Sequence, residues 1–252
     1  MIRLYQGDCL EVMKQIPDKS VDMILCDLPY GTTACKWDII IPFDKLWEQY
    51  KRIIKPAHPI LLFGSEPFAS KLHLSNLDWY KYDWVWNKNK CGSPGLAKRR
   101  PLKVHETISV FCDGTEMYIP QMESGTPYFR KRSGEYRVNS MGYGFANSTK
   151  DIVNTGTRYP KSIINISRDF SAQQQIHPTQ KPVPLCEYLI KTYTEENNVV
   201  LDNCMGSGTT GVACKRLNRN FIGIELDEHY FEIAKNRIEN EPIQLTLLEQ
   251  KE

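Results

Sequence analysis

A chain of 252 residues with 41% hydrophobic side chains can bury a full core, most simply as one α/β domain with an insertion or as a catalytic domain with a small lobe. Its formal net charge of +2 excludes a strongly basic or acidic bulk character, so any polyanion must be met by a local patch. Eight cysteines are scattered without a Cys-x-x-Cys pair or a Cys/His cluster, and no signal peptide or long apolar segment is present. A reduced, cytoplasmic protein without disulfide, metal or membrane span is expected.

In chain order, residues 1–112 read as alternating strands and helices: strand 2–6, helix 10–16, strand 21–26, helix 43–54, strand 59–63 and a later strand of the same sheet over 104–111. That rhythm predicts a parallel sheet. Gly64-Ser65-Glu66-Pro67 reads as a strand end followed by a helix start. Residues 81–103 form a basic strip, with Lys81, Lys88, Lys90, Lys98, Arg99, Arg100 and Lys103 against Asp83 alone. A polyanion bound at one face and an ordinary solvated loop both fit it. Trp79, Trp84 and Trp86 read as packing residues. In His105-Glu106, neighbours on a strand point to opposite faces, so a structural role is expected rather than an acid/base pair.

Residues 113–175 lose the apolar periodicity and become rich in Gly, Ser, Asn, Tyr and Arg, an irregular stretch by composition. Regular structure resumes at Pro182 with a helix through Leu185, Leu189 and Ile190. A strand, loop and helix come next over 199–217, then a strand 221–225 and a helix 230–238.

Two motifs carry chemistry. Asp27-Leu28-Pro29-Tyr30 follows an apolar strand, delivering a carboxylate, a rigid turn and an aromatic face at a carboxyl edge, where open α/β sheets bind ligands. Asp202-Asn203-Cys204-Met205-Gly206-Ser207-Gly208-Thr209-Thr210 also follows a strand; its glycines permit a tight turn beside a ligand, and Glu225 at the end of the next strand suits ribose hydroxyls. NAD fits such a unit as well, although two threonines stand where Gly-x-Gly-x-x-Gly requires other spacing. Asp27 next to Tyr30 suits a flat base carrying an exocyclic amine. The carboxylate accepts from the amine and stabilises the positive charge that develops on it, while the ring stacks on a base flipped out of the duplex.

With these residues in this order, the chain resembles the amino-methyltransferases of DNA, in particular the permuted (beta) class in which the catalytic motif precedes the cofactor loop. The resemblance covers nearly the whole chain. It implies a Rossmann-like, doubly wound, mainly parallel sheet in a single domain over 1–252, with residues 113–175 as a small target-recognition insertion. It implies S-adenosyl-L-methionine as cofactor, with Asp8 near its adenine, Thr179 and Lys181 near its carboxylate, Glu225 at the ribose, and Asp202, Met205, Gly206, Gly208 and Thr209 in the glycine loop. Asp27, Leu28, Pro29 and Tyr30 become the catalytic tetrad, Leu28 acting through its carbonyl.

The acidic first residue of that tetrad points to adenine N6. Cytosine N4, or a non-catalytic module that keeps the fold to bind DNA, are the alternatives, and a nicotinamide-dependent oxidoreductase is a more distant one. Leu28 replaces a commoner proline, and Asn203-Cys204 a commoner Pro-Phe. Trp37-Asp38 either closes the pocket or packs. Lys98, Arg99, Arg100, Arg130, Lys131 and Arg132 are the candidate phosphate contacts. The implied partner is DNA, with a homodimer and a cognate restriction endonuclease suggested by the family alone.

Overall fold

A computed structural model of the chain describes residues 1–32, 38–91, 94–131, 151–168 and 180–242. The amino-terminal half runs β1 (Ile2–Gln6), α1 (Cys9–Met13), β2 (Met23–Cys26), α2 (Phe43–Ile53), β3 (Ile60–Gly64), α3 (Phe68–Ser75), β4 (Tyr80–Asn87) and β5 (His105–Phe111). Four short strands come after it, β6 (Glu123–Ser124), β7 (Tyr128–Arg130), β8 (Ile152–Asn154) and β9 (Thr157–Arg158). The remainder is β10 (Ile163–Asn165), α4 (Val183–Tyr193), β11 (Val199–Asp202), α5 (Thr209–Arg216), β12 (Asn220–Glu225) and α6 (Glu228–Asn240).

Two units emerge: Met1–Ile119 with Ser162–Glu252, and Pro120–Lys161. The first is built on an eight-stranded sheet in the order β1-β12-β11-β2-β3-β5-β4-β10. Every pairing is parallel except those of β5, which runs antiparallel to both β3 and β4. Strand residues alternate between two cores. Met23, Leu25, Leu61 and Val200 face a cluster containing Leu185, Leu189, Val212 and Ile238. Ile24, Cys26, Leu62 and Leu201 face another that contains Val12, Leu46, Tyr50 and Leu72. Burial on both faces is why these strands read as unbroken apolar runs, and each fully buried Leu or Ile contributes about 1.5–3 kcal/mol. The fold is the doubly wound α/β architecture expected.

Some details differ from the sequence reading. Residues 80–87, read only as aromatic packing within a basic strip, are a strand: Trp84 and Trp86 turn inward while Lys81 stays exposed. The helix expected over 10–16 is shorter, closed at its start by Asp8, whose carboxylate accepts from the amides of Leu10 (2.8 Å) and Glu11 (3.3 Å). The Pro120–Lys161 unit, irregular by composition, contains two antiparallel pairs, β6 with β9 and β7 with β8. Strands of two or three residues carry too little periodicity to be seen in sequence. Among the described residues no helix is long and apolar enough to cross a membrane.

Gly211, inside α5, is required by close packing. A Cβ there would lie 2.7 Å from Phe221 Cε1 and closer still to Ile238 Cδ1. Alanine in a helix is worth about 1 kcal/mol over glycine, whereas overpacking costs about 1–3 kcal/mol. Gly211→Ala should therefore destabilise the protein, read as a lower urea midpoint with an unchanged slope.

Candidate active site

The carboxyl ends of four adjacent parallel strands meet at one edge of the sheet. Gly7 and Asp8 follow β1, Glu225 ends β12, the glycine loop follows β11, and Asp27–Tyr30 follow β2. Between them opens a cleft of ≈ 420 Å³, lined by residues from all four segments and within the range of small-molecule sites.

Hydrogen bonds fix the loop side of the cleft. Asp202 Oδ1 accepts from the Cys204 amide (3.1 Å) and Oδ2 from the Thr210 hydroxyl (2.7 Å), tying the loop to the first turn of α5. Tyr50 donates to Asn203 Oδ1 at 2.5 Å, so the residue that replaces the family's proline is anchored from α2. Burial pushes the Asp202 carboxyl up to about 7, against the Thr210 and Cys204 donors that pull it down. Glu225 Oε2 accepts from the Gly206 amide (2.8 Å) and Oε1 from the Asp227 amide (2.9 Å). With one donor on each, both oxygens retain a lone pair for a further hydroxyl. An acid with spare acceptor capacity, beside apolar lining from Leu10, Met205 and Leu226, fits a nucleoside.

On the β2 side, Tyr30 donates to Asp27 Oδ1 at 2.8 Å and its ring stacks on Phe68, centroids 4.8 Å apart. Lys181, just before α4, donates to Asp27 Oδ2. Its Nζ also lies 3.5 Å from Glu106 Oε2 and 4.9 Å from the centre of the Phe63 ring. Glu106 Oε1 in turn pairs with Lys88 at 2.9 Å. Burial pushes the Asp27 carboxyl up; Lys181 pulls it back, and the charge of Glu106 adds to the rise. Burial works the same way on Glu106, but Lys181 and Lys88 outweigh it and hold that carboxyl at about 2.

The structure thus brings Asp8, Asp27, Leu28, Pro29, Tyr30, Lys181, Asp202, Met205, Gly206, Thr209 and Glu225 to one cleft. Leu28 is also a core residue, 4% exposed, a side-chain contribution that a carbonyl role does not foresee. Gly208 is not among the lining residues: it caps α5 in the left-handed region (φ 76°), and a Cβ there would press on Ala234 and Ile238. Lys181 stands on the Asp27 carboxylate. Asp38 accepts from the Gly31 and Thr32 amides at 2.8 and 2.9 Å, stapling the chain after the tetrad. Lys98, Arg99 and Arg100 are exposed in a turn of the first unit, and Arg130 and Lys131 are exposed in the second. Trp37, Arg132 and Thr179 lie outside the described residues. Glu106, read as structural from sequence, faces the cleft. Its strand is antiparallel, so the amino end of β5 reaches the edge where the other strands end.

Residues 21–236 match the N6/N4 methyltransferase family, described as DNA methylase. The chain belongs to this family. Among its relatives, the type II methyltransferase M.HinfI of Haemophilus influenzae is 28% identical over 93% of this chain and 67% of its own length. M.HpaI of Haemophilus parainfluenzae is 27% identical over 95% and 74%. The crystal structure of the M1.HpyAVI–SAM complex aligns with a TM-score of 0.64 at 27% identity, covering 94% of this chain and 99% of that one. The cytosine-N4-specific PvuII DNA methyltransferase shares the fold, with a TM-score of 0.68 at 18% identity over 94% of this chain and 86% of that one. Membership makes this chain a DNA methyltransferase of the amino-nitrogen type.

The raised Asp202 carboxyl carries a testable consequence for this methylase. A carboxyl that titrates near 7 in the folded protein, against an ordinary 3.8, favours folding while protonated and loses that contribution as pH rises between about 4 and 7. Asp202→Asn keeps the acceptor for Cys204 and has no ionisation penalty. Its stability relative to the parent should be constant below about pH 4 and improve from there to pH 7, checked by urea midpoints at pH 4, 5.5 and 7.5. A difference independent of pH would show that Asp202 is ionised throughout.

Proposed function

We propose that this methylase uses S-adenosyl-L-methionine to methylate the N6 amine of adenine in DNA, at a specific short sequence, after the base is flipped into the cleft. The observation that carries the reading is the convergence on one cleft of the Asp27/Tyr30 pair with the Glu225-anchored glycine loop. The cofactor supplies an electrophilic methyl group. Glu225 would accept from its ribose, Asp8 would lie at its adenine, and Met205, Gly206 and Thr209 would form the floor, with Asp202 and Gly208 shaping the loop. Lys181 is engaged with Asp27 and is placed to act there.

The chain's own contribution comes from charge. An aromatic amine is a poor nucleophile because its lone pair is delocalised, and alkylation makes the nitrogen more positive. A fixed carboxylate at that nitrogen stabilises the transition state more than the ground state. Tyr30, already stacked on Phe68, would offer its other face to the base, offsetting part of the stacking lost on flipping. The acidic first residue of the tetrad favours adenine, and its position ahead of the glycine loop supports the permuted class.

In the same reading the chain is one methyltransferase domain in which residues 113–175 select the sequence. Support comes from the separate Pro120–Lys161 unit and from the exposed Arg130 and Lys131. In the first unit a recess of ≈ 200 Å³ lined by Lys88, Arg100 and Lys103 suits a strand backbone.

The deciding experiment is nucleoside mass spectrometry of DNA from an unmethylated host expressing the protein. N6-methyladenine is expected; N4-methylcytosine alone would transfer the assignment to cytosine, and neither would leave a DNA-binding module. For the mechanism, Asp27→Ala should lower the single-turnover rate by about a hundredfold to a thousandfold with cofactor affinity almost unchanged. Tyr30→Phe keeps the ring and should remain within about tenfold of the parent, since it loses only one neutral-donor hydrogen bond to Asp27. A fully active Asp27→Ala would overturn the assignment.

A further inference from the structure

Four charged side chains form a line from the rim into the cleft: Lys88, Glu106, Lys181 and Asp27. Their spacing is uneven. Lys88 is bonded to Glu106 Oε1 at 2.9 Å, and Lys181 is bonded to Asp27 Oδ2, but Lys181 Nζ stops 3.5 Å from Glu106 Oε2. Among the described residues Glu106 Oε2 is buried with no donor at ordinary hydrogen-bond length, its cation Lys181 standing at 3.5 Å. A buried carboxylate oxygen without a donor is costly, and here the missing donor is a neighbouring ammonium less than an ångström short of bonding distance.

The Asp27 end has the opposite condition. Tyr30 donates to Oδ1 and Lys181 to Oδ2, one donor on each, so an arriving amine finds the remaining lone pair of Oδ2 beside an ammonium. The charge of that ammonium opposes the positive charge developing on the amine nitrogen. Lys181 cannot retreat to water, because its side chain is 10% exposed and its Nζ lies over the Phe63 ring.

We propose that Glu106 is a positioning residue that takes over the Lys181 ammonium when the target amine arrives, withdrawing that positive charge from Asp27 as its carboxylate accepts the amine N–H. This rests on the reading of Asp27 as the amine acceptor. The handover moves one ammonium between two carboxylates, so the net charge of the line is unchanged, and Asp27 exchanges the ammonium for the amine on which positive charge develops. Lys88 keeps Glu106 ionised and in place. The phenyl ring of Phe63 gives the ammonium an attractive surface along the way. Among the described residues, the titratable groups that act on Asp27 include Lys181, Glu106, Tyr30, Cys26 and Asp202. Those that act on Glu106 include Lys88, Lys181, Asp27 and Tyr30.

The test compares Glu106→Gln, Glu106→Asp and Asp27→Ala in single-turnover methyl transfer across pH at saturating cofactor and DNA. Cofactor affinity by calorimetry reports folding. Carboxyl-carbon NMR of the cofactor-free protein follows Asp27, assigned by its absence in Asp27→Ala. Glu106→Gln should keep cofactor affinity and lower the plateau rate by about tenfold to a hundredfold, the equivalent of one charge-assisted hydrogen bond that must now be broken without a replacement.

Because the Glu106 charge raises the Asp27 carboxyl, its removal should also move the acid limb of the rate profile and the Asp27 NMR titration to lower pH. Glu106→Asp retains the charge but withdraws the seat, so the plateau should fall while the titration stays in place. A parental plateau in Glu106→Gln overturns the handover, and so does a reduced plateau with an unmoved Asp27 titration, which marks a packing role. Should Glu106→Gln fail to fold, a fully active Glu106→Asp overturns the proposal and a slowed one with unmoved titration supports it. An active Asp27→Ala sinks the acceptor reading itself; an inactive one beside an unaffected Glu106→Gln sinks the handover alone.

Discussion

The parallel pairing of β1, β12, β11 and β2 is the constraint on which the site depends. Four strands that run the same way must finish at the same edge, and the segment after each strand is then delivered to one cleft. Asp8, Glu225, the glycine loop and Asp27 are far apart in the chain, yet the sheet leaves them as neighbours. The hydrogen bond from the Gly7 amide to the Glu225 carbonyl and that from the Met205 amide to the Ile224 carbonyl, both 2.9 Å, extend this pairing beyond the strands into the loops. Backbone pairing thus reaches into the cleft, where the side chains of Asp202, Asn203 and Glu225 complete the hold on the loop.

Charge is managed differently on the two sides of that cleft. Near the glycine loop, carboxylates are satisfied by amides and a hydroxyl, which orient them without adding formal charge. Near the catalytic tetrad, two carboxylates and two ammonium groups are arranged in series. Buried ions in such a series cost desolvation that their pairing only partly returns, so a stable core would do without them.

Each motif that lies directly after an apolar strand is legible in the sequence, since strand, turn glycine and acid together leave a local pattern at residues 21–30 and 199–225. The two-faced core is legible too, as apolar runs. The features that escape depend on pairing between distant segments. Glu106 reads as structural because its strand is evident from the sequence but its direction is not, and an antiparallel strand exchanges its ends. Strand β4 is hidden by its mixture of aromatic and charged residues. Gly208 reads as yielding to a ligand, whereas the neighbour that excludes a side chain is α6.

The same pairing has a consequence for synthesis. Strand β1 bonds only to β12, and β11 lies between β12 and β2. A chain emerging from the ribosome thus carries its first strand unpaired, and its catalytic tetrapeptide beside an open sheet edge, until residues 199–225 have been made. Long-range strand pairing is slow because the loop must close before its contacts repay it. Strand β1 waits for β12, and the lining of the cleft is complete only once Tyr230 has been made.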